Sequence, residues 1–142
     1  RARQAAKAIV DARRKRKIHT TEELIRVVEP VLRKRGKLHA ATLIFQALRI
    51  KVNDELGELE RGLTAATHFL STEGRLAVIS FHSLEDRIAK NYLRDRSKEG
   101  TLKLLTKKPV APSLKESREN PRSRSAKLRV AEKQGIEPCA AY

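Results

Sequence analysis

Methionine and tryptophan are absent from this sequence, and cysteine occurs once, at Cys139. One thiol closes no internal disulfide and supplies no cysteine-based zinc site. With no methionine and Arg1 at its start, the sequence reads as a fragment of a longer chain. Long apolar runs are missing too. No stretch approaches the roughly 18 consecutive apolar residues of a spanning helix, and no charged-then-apolar leader resembles a signal peptide. A membrane is therefore not an expected partner, and the expected location is the cytoplasm. Aromatics make up 4% of the chain, namely Phe45, Phe69, Phe81, Tyr92 and Tyr142. That is too few for a platform on which successive bases stack, although Phe81 can pack on one base. His19, His39, His68 and His82 are scattered without ligand spacing, so no metal is expected. A Gly-rich phosphate loop and a Gly-x-Ser-x-Gly elbow are also missing.

Positive charge is abundant. Lys and Arg number 32 against 17 for Asp and Glu, a formal net charge of +15 over 142 residues. Such an excess on one domain, or on a piece of one, favours a polyanionic partner, and nucleic acid comes first.

The first seventeen residues place Ala2, Ala5, Ala6, Ile9 and Val10 on one side and end in the basic run Arg13 to Lys17, an amphipathic helix with cations at its C-terminus. Thr20 followed by Glu23 is a capping box. Leu24, Val27, Val28 and Val31 continue at helical spacing until Pro30 kinks or ends the helix, and Gly36 closes the segment after Arg33-Lys34-Arg35. From Ala41 through Phe45, Leu48, Val52, Leu56, Leu59, Leu63 and Ala66 to Leu70, apolar residues recur every three or four positions. This predicts a helical stripe of about 30 residues, either one helix or two in line, with Gly57 and Gly62 as its weak points. After Glu73-Gly74 the period changes. Leu76-Ala77-Val78-Ile79 reads as a strand buried on both faces, and Ser83 to Arg96 reads as a helix capped by Ser83, with Leu84, Ile88 and Leu93 inward. Residues 101–106 and 127–132 are two more strands, separated by a loop containing Pro109, Pro112 and Pro121. The three strands are expected to be the last of an open, mostly parallel sheet that ends in an antiparallel pair.

Two stretches carry candidate chemistry. In Ser80-Phe81-His82-Ser83-Leu84-Glu85-Asp86-Arg87, the loop lies beyond the carboxyl end of a strand, where open α/β sheets hold their ligands. Either His82, Ser83 and Asp86 hydrogen-bond a ligand there beside the charge of Arg87, or Ser83 caps the helix and Asp86 and Arg87 form a solvated pair with Glu85. In Asn120-Pro121-Arg122-Ser123-Arg124-Ser125-Ala126-Lys127-Leu128-Arg129, cations alternate with small polar residues. Such a segment is either a contact for phosphates or base edges or a solvated basic loop.

Three stretches, read together, resemble the rRNA cytosine-N4 methyltransferases of the MraW/RsmH family. The first is His39-Ala40-Ala41-Thr42-Leu43-Ile44-Phe45-Gln46-Ala47-Leu48-Arg49-Ile50, continuing through Val52-Asn53-Asp54-Glu55-Leu56. The others are Gly74-Arg75-Leu76-Ala77-Val78-Ile79 followed by the Ser80–Arg87 loop, and the Asn120–Arg129 stretch. Lys107-Lys108-Pro109 and Pro112-Ser113 also look like the family. The first stretch departs from the family's His-Pro-Ala-Thr-Arg-Thr-Phe pattern at Ala40, Leu43 and Ile44. The resemblance implies an α/β fold, the C-terminal part of a Rossmann-like class I methyltransferase sheet preceded by an inserted α-helical domain. Residues 1–38 would belong to the inserted domain, 39–133 to the C-terminal half of the catalytic domain and 134–142 to a tail.

The activity it implies is methylation of the exocyclic N4 of a cytidine in small-subunit (16S) rRNA, with S-adenosyl-L-methionine as methyl donor. The Gly-Gly-Gly-His-Ser-type cofactor loop of the family does not occur in the sequence, so the cofactor residues are expected before Arg1 and the fragment alone is expected to be inactive. The resemblance further implies catalytic roles for His82, Ser83 and Asp86. Phe81, Arg87, Asn120, Arg122, Ser123, Arg124, Ser125 and Lys127 would contact RNA, with the 16S rRNA or small ribosomal subunit as partner and a homodimer left open. A different class of function stays open beside it, a non-catalytic RNA- or ribosome-binding remnant without the cofactor half.

Overall fold

The computed structural model describes residues 1–32 and 41–135. Arg33-Lys34-Arg35 with Lys37, Gly36, His39, Ala40 and the tail with Cys139 fall outside the described residues. The chain divides into two compact units, one up to Asn53 and one from Asp54.

In the first unit, helix α1 spans Ala2–Lys15 and ends on Arg13, Arg14 and Lys15. Helix α2 (Thr21–Val28) begins at the expected capping box: Thr20 Oγ1 accepts the Glu23 amide at 3.1 Å, and Glu23 Oε2 accepts the Thr20 amide at 3.4 Å. Pro30 does end this helix, because a proline has no N–H to continue it and the chain tightens into a 3-10 turn at Glu29–Val31. Helix α3 spans Thr42–Val52. Leu24, Val28 and Ala41 form the buried centre, with Ile9, Ile18, Ile25, Ile44 and Phe45 packed on it. Full burial of one such aliphatic side chain contributes about 1.5–3 kcal/mol. Ile44, where the family pattern has threonine, thus joins a core, whereas Leu43 stands exposed. The expected stripe fails at the end of α3, where Leu48 and Val52 are exposed.

The second unit opens with helix α4 (Glu55–Phe69). The predicted stripe is therefore two helices, and the break falls at Asn53-Asp54 rather than at a glycine, with Asp54 in the left-handed region at φ 49°. Gly57 has a local reason to be glycine: a Cβ there would lie 2.8 Å from Cγ of Asp54, whose carboxylate meets Arg61 at 2.8 Å. Strand β1 (Arg75–Ser80), helix α5 (Ser83–Lys98) and strand β2 (Leu102–Leu104) follow. The turn after α5 needs Gly100, at φ 76°: its amide bonds Ser97 O while the Thr101 amide reaches back to Arg96 O, a Schellman closure. Helix α6 (Leu114–Glu119) lies in the segment read as loop, capped by Ser113. A 3-10 helix at Pro121–Ser125 and strand β3 (Lys127–Lys133) complete the unit.

The sheet order is β1-β3-β2. β3 pairs antiparallel with β1, with Ser80 opposite Lys127 and Val78 opposite Arg129, and antiparallel with β2. The expected antiparallel pair is present, but the described strands contain no parallel ladder, because β3 enters between the two strands that α5 connects. β1 is buried on one face only. Val78 packs with Leu63 of α4 and Ala89 of α5, while Ala77 and Ile79 are exposed on the other face. Leu93, Leu102 and Ala131 form a second cluster under β2 and β3. Leu84, expected inward, is exposed in the first turn of α5.

Candidate functional site

The register of β1 against β3 sets the site. Because Ser80 pairs with Lys127, the turn that leaves β1 and the 3-10 helix that enters β3 lie at the same end of the sheet. The two polar stretches of the sequence are thereby neighbours.

At the turn, His82 rather than Ser83 is the N-cap of α5. Its backbone is extended and its Nδ1 accepts the Glu85 amide at 3.3 Å. Glu85 answers with Oε2, which accepts the Phe81 amide at 2.8 Å and the His82 amide at 3.2 Å. This is a capping box with histidine in the place usually held by serine or threonine. A neutral ring that accepts at Nδ1 carries its proton on Nε2. That buried Nε2 faces Glu85 Oε1 at 3.2 Å without the alignment of a hydrogen bond. Potential ligand atoms of Glu55, His82 and Glu85 lie within 4.8 Å of one another. A cation at Nε2 would need the lone pair that the capping tautomer covers with a proton, so the cluster as built is a cap and not a ligand set. Ser83, the first helical residue, is exposed, as are Phe81 and Arg87.

Asp86 is one turn further along α5. Its Oδ1 accepts from Nε of Arg129 at 2.8 Å and its Oδ2 from Nζ of Lys127 at 3.2 Å. Asp86 and Arg129 are mostly buried, and the Lys127 side chain is partly exposed. The Arg129 hydrogen bond, seconded by Lys127, holds the Asp86 carboxyl below its ordinary range against the opposing effect of burial. This carboxylate is committed to two cations and is a clamp between α5 and β3.

In the second stretch, Ser123 is buried and donates from Oγ to Asn120 O at 2.8 Å, while its amide bonds the same carbonyl at 3.0 Å. Both residues thus shape the 3-10 helix. Arg122, Arg124 and Ser125 are exposed, and Arg87, Arg122 and Arg124 have no ion-pair partner among the described residues. Phe81, His82, Ser83, Asp86, Arg87, Arg122, Arg124 and Lys127 are therefore gathered at one end of the sheet. Sequence reasoning missed the roles of Glu85 as a cap and of Arg129 as the partner of Asp86. The spacing His82-x-x-Glu85 matches a capping box and was the available signal for the first. Arg129 gave none, since its partner is 43 residues away.

Two clefts lie elsewhere: one in the first unit beside Ile9 and Leu24, the other along α4 beside Thr64 and Phe69. Neither includes a residue of the Ser80–Arg87 turn. The residues of that turn therefore do not by themselves fit a nucleoside cofactor. No helix among them is long and apolar enough to cross a membrane.

Comparison with known proteins supplies what geometry leaves open. A ribosomal RNA small subunit methyltransferase H from Elusimicrobium minutum is 57% identical over 132 residues, which is 93% of this chain and 45% of that protein. The protein of the same name from Persephonella marina is 53% identical over 136 residues, covering 93% of this chain and 46% of its own length. A third, from Coprothermobacter proteolyticus, is 52% identical over 133 residues, covering 94% and 44%. The chain spans about half the length of the curated relatives it matches. The sequence pattern of the MraW methylase family matches residues 1–134, so both units are included and the chain belongs to the MraW methylase family.

Proposed function

We propose that this chain is the C-terminal portion of an S-adenosyl-L-methionine-dependent methyltransferase acting on the exocyclic N4 of a cytidine in 16S rRNA, and that it supplies the RNA-facing side of the site. The observation that carries this reading is the joining of the Phe81–Arg87 turn to the Arg122–Lys127 segment through Asp86, Lys127 and Arg129. Phe81 and Arg87 on the one segment, and Arg122 and Arg124 on the other, are each exposed. The relatives' name, small-subunit rRNA methyltransferase, supports the substrate class.

The roles follow from the contacts. Phe81 offers an exposed ring to a base taken out of its stack. Arg87, Arg122 and Arg124 offer forked donors to phosphate oxygens or a base edge. His82 and Glu85 fix the turn's backbone, and Asp86 fixes its distance from β3. Ser83 and Ser125 are free to bond the nucleotide. When bound, the cofactor supplies an electrophilic methyl group to the amine nitrogen, and the residues that hold it would belong to the part of the enzyme outside these 142 residues. A Rossmann-like placement is consistent with β1 and β2, which run the same way on either side of β3 with α5 as their connection. The unpaired edge of β1 would then receive the remaining strands, and helices would cover the face that carries Ala77 and Ile79.

On this reading the chain alone transfers no methyl group but competes for the substrate. Added to undermethylated small subunits, it should slow methylation by the full-length Elusimicrobium minutum relative in proportion to its concentration. Methyl transfer by the chain itself, or no competition at saturating amounts, would contradict the proposal.

A further inference from the structure

We infer that the cleft between the C-terminal turn of α1 and the start of α2 binds one nucleotide of single-stranded RNA, its base on an apolar floor and its phosphates among three cations. The inference rests on the RNA-substrate reading above for the class of ligand only. The cleft has a volume of about 540 Å³ and lies wholly within the first unit. That volume falls within the roughly 300–1,000 Å³ of small-ligand pockets. Ile9, Ile18 and Leu24 form its floor, and Arg13, Arg14 and Lys17 its rim.

The rim cations are exposed and have no ion-pair partner among the described residues. Arg13 and Arg14, in the last turn of α1, complement the helix dipole, but that effect is worth about 0.3–1 kcal/mol per charge and explains neither Lys17 beyond the helix nor the mutual repulsion of three cations around one cleft. A phosphate would relieve it. The carboxylates on the same two helices do not line the cleft: Glu23 is taken by Arg16 and the His19 amide, Glu22 bonds Thr21, and Asp11 lies outside the lining. The floor adds what a phosphate site alone does not need, an apolar surface on which a base can lie, with the flat ring of His19 at its side. A paired base cannot reach such a floor, so the geometry selects unpaired RNA.

The test is fluorescence anisotropy of the whole chain with a labelled twelve-nucleotide single-stranded RNA over a range of salt. Arg13→Gln/Arg14→Gln/Lys17→Gln should weaken binding by at least about tenfold and reduce the log–log salt slope by about 2, near 0.7 for each lost cation. Arg3→Gln/Lys7→Gln, on the same helix outside the cleft, should lower affinity by less than half as much on the logarithmic scale. Glutamine is tolerated at Arg13 and Arg14, exposed positions of α1, and at Lys17 in the exposed connection after it, and circular dichroism checks that the fold is kept. An abasic oligomer of equal length should compete at least several-fold more weakly than the RNA, and so should the corresponding duplex. The inference is overturned if the triple variant binds as wild type does, if the abasic oligomer competes equally, or if anionic phosphatidylglycerol vesicles displace the RNA at lower phosphate concentration than unlabelled RNA. Methyl transfer is not read in any arm, so failure here and failure of the methyltransferase reading are separate results.

Discussion

Asp86 Oδ1 stands 2.8 Å from Nε of Arg129, a residue 43 positions later in the chain, and this contact ties the first turn of α5 to the middle of β3. Removing one member of a buried ion pair strands the other without water or counter-charge. Asp86→Ala should therefore destabilise the chain by about 3–5 kcal/mol in urea unfolding, and replacing Asp86 and Arg129 together by leucine should recover part of that loss. Equal losses in the single and double variants would show that the pair does not act as a unit.

The same pair sets an acid limb. The Asp86 carboxyl is depressed in the fold, so its contribution is fully present above the ordinary aspartate pKa, about 3.9, and is lost as pH falls through the lower folded value. Glu22 and Glu23 are shifted in the same direction and add to the limb. The difference in unfolding free energy between wild type and Asp86→Asn should be constant above about pH 5 and shrink below about pH 4. A difference that grows on acidification would reverse the assigned sign.

Glu85 holds the Phe81 and His82 amides, so its loss should be felt as local opening. Glu85→Ala is expected to cost about 1 kcal/mol of stability and to accelerate hydrogen exchange at Phe81 and His82 far more than in the middle of α5. Uniform acceleration along α5 would contradict a capping role.

The two glycines of α4 should respond differently to alanine. Nothing lies within 4 Å of a Cβ at Gly62, so Gly62→Ala should stabilise by up to about 1 kcal/mol through helix propensity. Gly57→Ala places its Cβ against the Asp54 carboxylate and should gain less, since Asp54 must turn away from Arg61. Thermal melts of both variants decide it, and equal gains would mean that the Asp54 contact carries no weight.

The local signals in the sequence were legible and the non-local ones were not. The Thr20–Glu23 box and the stop at Pro30 each involve a few neighbouring residues, and they appear where the spacing places them. Strand direction depends on which strand lies between which, and no periodicity in β1 or β3 encodes it. Helix α6 lay hidden in a proline-rich stretch, although Ser113-x-x-Glu116 marked its start. At the site, the two polar stretches were visible as compositions. Their union was not, because Asp86 reaches Lys127 and Arg129 across 41 and 43 residues, and because His82 serves as a cap in place of the expected Ser83.

The central claim is that these residues form the RNA-facing half of an rRNA cytosine-N4 methyltransferase. It is tested most directly by fusing residues 1–134 to the portion of the Elusimicrobium minutum relative that the alignment leaves uncovered. The fusion is then incubated with undermethylated small subunits and S-adenosyl-L-methionine, and the nucleosides of the 16S rRNA are read by mass spectrometry. The account predicts N4-methylcytidine at one position, reduced by at least about tenfold when Arg122 and Arg124 are both glutamine. A folded fusion that binds the cofactor yet leaves no N4-methylcytidine would contradict it.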